Sequence, residues 1–110
     1  MARKTVTVVI KDIKWKFKLL SDKVFDRKHK EGKFRAMTMT GDHCVDFRKS
    51  DFTKALIFHE LCHAYYTSCL TSDADHNADQ VEETLAKILE MHYYEIGTVA
   101  DQVFNGLKSE

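Results

Sequence analysis

The chain has 110 residues, 44% of them hydrophobic and 31% charged, with Lys+Arg and Asp+Glu balanced at 17 each. This is the make-up of one globular domain with a modest core, and it excludes a low-complexity, collagen-like or strongly polyionic chain. No apolar run approaches the roughly 20 residues that cross a bilayer, and the basic start Met1-Ala2-Arg3-Lys4 leads into a stretch too short and too interrupted by threonine and lysine to be a signal peptide.

Taken in chain order, residues 5–10 (TVTVVI) are a β-branched run and predict a strand. Residues 13–19 alternate Lys14, Lys16 and Lys18 with Trp15, Phe17 and Leu19, the pattern of a second strand with one wet face. Ser21 is placed to cap a short helical turn through Phe25 and Arg27, and the charged stretch 29–33, with Gly32, reads as a loop. Residues 34–40 and 44–48 predict two further strands, joined at Gly41-Asp42 as a hairpin. Ser50 or Asp51 is then expected to cap a long helix over 52–70.

After the polar loop 71–76 (TSDADH), a second long helix is predicted over 77–96, with Gly97 ending or bending it. A last amphipathic helix over 99–107 presents Val99, Val103, Phe104 and Leu107. The expected fold class is therefore α+β: a small N-terminal sheet of three or four strands, then three helices, in a single domain spanning 1–110.

Charge is unevenly spread, with a balance of +7 over residues 1–34 and −7 over 35–110. A basic third of this kind can meet nucleic acid or an acidic partner, but the lysine alternation in 13–19 is also the ordinary wet face of an amphipathic strand. Of the three cysteines, Cys62 and Cys69 lie seven residues apart on one predicted helix, roughly 10 Å along its axis and too far to bridge. An odd count without a secretory signal implies reduced thiols and a cytoplasmic location. With no Cys-x-x-Cys pair, a zinc ribbon or finger is not expected, and Cys62 reads as a packing residue rather than a ligand.

His59-Glu60-Leu61-Cys62-His63 is an HExxH motif inside the helix predicted over 52–70. Four residues are about one helical turn, so both histidines project from one face, where two neutral imidazoles can hold one zinc ion. Glu60 stands about 100° round the helix, placed to touch a water on the metal rather than the metal itself. That is the geometry of a zinc peptidase with Glu60 as general base. Leu56, Ile57 and Phe58 run directly into His59, so the helix is expected to be mostly buried, with its polar groups in need of partners.

Catalytic zinc keeps three protein ligands and an open position. The candidates for the third are His76, Asp79, Glu82 and Glu83. The metzincin spacing is excluded, because Tyr66 and Cys69 stand where its glycine and third histidine belong. Val81, Leu85, Ile88, Leu89, His92 and Ile96 share one side of the second helix; Glu82 flanks that stripe and Glu83 points away, so Glu82 is favoured. Tyr65, Tyr66, His76 and His92 are candidate donors to a substrate oxygen.

HELCH followed 19 residues later by Glu82, together with Glu82-x-x-Leu85-x-x-Ile88-Leu89 on a second helix, resembles the gluzincin pattern and, more narrowly, the small bacterial and phage zincins that include the ImmA/IrrE-like group. The resemblance covers roughly residues 34–96. It implies a minimal zincin fold, zinc held by His59, His63 and Glu82, a protein or peptide substrate, and an edge strand beside the motif helix formed by 44–48 or 34–40. Competing readings are a zinc-binding scaffold that cleaves nothing, as in host–phage inhibition, a DNA-associated protease resembling the SprT group with His76 as third ligand, and a metal-free helical module.

Overall fold

The computed structural model describes residues 4–30, 34–39, 41–69 and 78–108. Strands β1 (Lys4–Ile10) and β2 (Ile13–Leu20) form an antiparallel hairpin, with Ile10 opposite Ile13 across a two-residue connection. Both connecting residues, Lys11 and Asp12, stand at positive φ (51° and 67°), the hand that lets a tight turn match the right-handed twist of its strands. Helix α1 (Asp22–Lys28) follows, capped as predicted: the Ser21 hydroxyl accepts from the Val24 amide at 3.3 Å. Strands β3 (Ala36–Met39) and β4 (Cys44–Arg48) make the expected hairpin, with Thr38 opposite Val45. The turn between them puts His43, not Gly41, at positive φ. β4 pairs parallel with β2, so the sheet order is β1-β2-β4-β3 and the fold is α+β.

Alternation along the strands sorts the side chains between the two faces of the sheet. Val6, Val8, Trp15, Phe17, Val45 and Phe47 face one way and form the core with helices α2 (Lys54–Cys69) and α3 (Ala78–Lys108). The Trp15 indole N–H reaches across to donate to the Ser68 hydroxyl on α2 at 2.9 Å. The other face carries α1. There Asp46 is fully buried, and its carboxylate is met by Lys28 Nζ at 2.7 Å and His29 Nε2 at 2.9 Å, the partners a buried charge requires. Lys14 and Lys16 lie exposed on this face and Lys18 is half-buried, so the wet strand face is as the alternation predicts.

Two sequence expectations are corrected here. The motif helix is not capped by Ser50 or Asp51. Those residues belong to a 3-10 turn, Lys49–Asp51, in which the Ser50 amide donates to Asp22 and Asp51 pairs with Arg48 at 3.2 Å. The cap is Thr53, whose hydroxyl accepts from the Leu56 amide at 3.1 Å. Nor does Gly97 break the C-terminal region: the helices predicted over 77–96 and 99–107 are one continuous α3. A glycine inside a helix costs only about 1 kcal/mol. The buried residues Ile96, Val99, Ala100, Val103 and Leu107, spaced along one face on both sides of Gly97, outweigh that. Among the described residues no helix is long and apolar enough to cross a membrane.

The two described helical glycines of α3 should respond oppositely to alanine. A Cβ at Gly97 meets nothing within 4 Å, so Gly97→Ala is expected to stabilise by about 0.5–1 kcal/mol. A Cβ at Gly106 would lie 2.7 Å from Val6 Cγ2 on β1, and a β-branched valine has little room to turn aside. Overpacking costs about 1–3 kcal/mol, so Gly106→Ala should be a net loss despite its better helix propensity. Urea unfolding midpoints should move apart; both rising together would show that β1 gives way to α3 without cost.

Candidate metal centre

The phase of α2 is set by its buried stripe, Ile57, Leu61, Ala64 and Tyr65, packed against the sheet and α3. With about 100° between successive residues, that stripe carries Glu60 inward and turns His59 and His63 to the flank. Glu60 is only 6% exposed, whereas the His59 side chain is 66% exposed and His63 is also exposed. The expectation of a buried helix holding both histidines inside is thus corrected: the buried member of the motif is the glutamate.

The two imidazoles lie side by side, ring centroids 5.1 Å apart. One ligand atom from each of His59, Glu60 and His63 falls within 4.8 Å of the others, a group that could hold a metal ion. No other trio of histidine, cysteine, aspartate and glutamate among the described residues does so. The Glu60 carboxylate is held at one oxygen and faces a histidine with the other. Its Oε1 accepts from the Thr38 hydroxyl at 2.6 Å, and its Oε2 lies 3.7 Å from His59 Nε2. Thr38 was not a candidate from sequence. Its only signal is position: it shares with Ala36 the face of β3 turned to the helices, where a hydroxyl needs a partner.

β3 is an edge strand and β4 is interior. Of the two segments expected to supply an edge beside the motif helix, 34–40 does so, as Ala36–Met39, and 44–48 does not. β4 cannot, because both of its sides are occupied, by β2 and β3.

A cavity of about 380 Å³ opens beside the histidines, walled by Cys62, Tyr66, Leu85, Ile88 and Leu89. A larger groove, about 670 Å³, lies between the two helices past Phe58, Tyr93 and Tyr94, with the Lys54–Asp101 ion pair (3.2 Å) in its lining. It contains no group with metal-ligand spacing, whereas both histidines of the metal-capable group line the smaller cavity.

The remaining sequence candidates separate clearly. Tyr66 lines the cavity, but the buried Tyr65 hydroxyl donates to Glu95 on α3, and His92 packs against Tyr65 in a tilted arrangement with ring centroids 5.4 Å apart. Tyr65 and His92 therefore belong to the packing between the helices. Cys62 is a free thiol in the cavity wall whose pKa is pushed up by burial, and it stands outside the metal-capable group. Glu83 is exposed and likewise outside that group. His76 and the side chains of Asp79 and Glu82 lie outside the described residues. Comparison with protein-family models, with curated proteins and with solved structures finds no match to this chain.

Because Cys62 borders the histidines without joining them, Cys62→Ser should leave metal binding by the protein unchanged. Titration with zinc against a chromogenic chelator checks this; a loss of roughly tenfold or more in affinity would make the thiol a ligand.

Proposed function

We propose that the chain is a zinc-dependent metallopeptidase that hydrolyses peptide bonds, with Glu60 as general base and His59, His63 and Glu82 as the metal ligands. The observation that carries this reading is the division of one helical turn between two exposed, adjacent imidazoles and one buried, hydrogen-bonded carboxylate. Burying a carboxylate costs several kcal/mol unless it is held. A surface pair of histidines with no shared task needs no such group at its side.

The donor set suits zinc, which takes imidazole and carboxylate ligands in tetrahedral sites. Two ligating nitrogens on one zinc stand about 3.3 Å apart, and the exposed histidines, with the whole donor group already within 4.8 Å, need only side-chain rotation to close that distance. A zinc ion bound there would supply Lewis acidity and lower the pKa of a water toward neutrality. Glu60 takes a proton from the attacking water and passes it to the leaving nitrogen. The carbonyl carbon gains the water oxygen as the C–N bond breaks, leaving a carboxylic acid and an amine, which exchange the remaining proton to give carboxylate and ammonium.

Glu82 is the preferred third ligand. It precedes Leu85 and Leu89, which wall the cavity, by three and seven residues, the spacing of one helix face. The outer edge of β3 suits an extended peptide substrate, which would add as a further strand beside Glu60. The free thiols Cys44 and Cys62 accord with a reducing, cytoplasmic setting.

Two variants test the assignment. Glu60→Gln should keep its zinc and lose peptide hydrolysis by about 10²–10⁴-fold; turnover that survives the change would remove Glu60 from the chemistry. Glu82→Ala should weaken zinc binding strongly while Glu83→Ala does not, measured by chelator competition. The reverse order would move the third ligand by one residue.

A further inference from the structure

Glu60 lies close enough to both histidines to act as a metal ligand itself, since its carboxylate belongs to the same 4.8 Å group. A general base has to stay off the metal, so something must decide between the two roles. We propose that Thr38 is the positioning residue that decides it, by tying Glu60 Oε1 to the sheet so that the carboxylate serves as base and not as a ligand. This rests on the metal-site reading above.

The geometry is specific. Thr38 Oγ1 donates its only proton to Oε1 at 2.6 Å, within the range of a full O–H···O hydrogen bond. One oxygen is thereby anchored to the sheet, which restrains the carboxylate from swinging out to bring both oxygens onto a metal. Oε2, the other oxygen, is the one turned toward His59, at 3.7 Å. The hydroxyl is itself rigidly mounted. Thr38 is paired in the ladder opposite Val45, and a β-branched side chain is stiff at χ1. The bond spans 22 residues of sequence and ties the edge strand to the motif helix. A peptide adding to the outer edge of β3 would therefore bind the same strand that aims the base.

The test uses the whole protein loaded with cobalt(II), whose visible absorption reports coordination number, in wild type, Thr38→Val, Thr38→Ser and the double variant Thr38→Val/Glu60→Gln. Thr38→Ser, which keeps the hydroxyl, should match wild type. Thr38→Val should show weaker, higher-coordinate absorption and tighter cobalt binding as Glu60 joins the metal. Neither change should appear when Thr38→Val is placed in the Glu60→Gln background. In peptide hydrolysis, Thr38→Val should lower kcat by about 10–100-fold with KM unchanged, and Thr38→Ser should restore it. If Thr38→Val does not fold, Thr38→Ala takes its place in the same comparison. A wild type that binds cobalt, with a spectrum and affinity indifferent to loss of the hydroxyl, would overturn the role of Thr38 and leave the metal site standing. A wild type that binds no cobalt would overturn the metal site itself.

Discussion

One turn of α2 has to serve two environments at once. Successive helical residues are about 100° apart, so a helix that buries Ile57, Leu61 and Ala64 must carry Glu60 inward beside them and leave His59 and His63 on its flank. The carboxylate is thereby desolvated and the imidazoles stay open to the solvent side. A carboxylate in that position is stable only with a donor, and the sheet brings one, the hydroxyl of Thr38. Most of what the proposed centre can do follows from this placement.

The sheet order matters for the same reason. Because β2 and β4 pair in parallel at the centre, β3 is left at the edge, against the helix that carries the motif, with one side unpaired among the described residues. An unpaired edge is normally a liability, and here it is short, four residues. The opposite face of the sheet has a separate polar centre, where Asp46 meets Lys28 and His29. That centre fixes α1 to the sheet and has a structural explanation. The two buried carboxylates of the described core, Asp46 and Glu60, thus differ in kind: one is met by both Lys28 and His29, the other has a single neutral donor on one oxygen and faces His59 with the other.

What could be read from the sequence was what local chemistry decides. The Ser21 cap, the lysine alternation of β2 and the hairpin into β4 each depend on a few neighbouring residues, and the α+β class follows from their order. The HExxH spacing placed two imidazoles on one face because four residues make about a helical turn. What escaped depends on distant partners. The apolar run before His59 suggested a buried histidine pair, but burial is decided by which side of the turn meets the sheet. Gly97 looked like a stop because helix propensity is local, while the apolar face that carries α3 through it is packed by the rest of the fold. Thr38 is 22 residues from Glu60, and only the pairing of β3 with β4 brings the two together.

The central claim is that His59 and His63 hold a metal ion, and the most direct measurement is the zinc content of tag-free protein by mass spectrometry under native conditions, before and after zinc is added back. The account expects about one zinc per chain in the wild type, lost when His59 and His63 are both replaced by alanine. A wild type that stays metal-free after reconstitution would contradict it, and would leave the two exposed histidines as surface residues of an α+β domain.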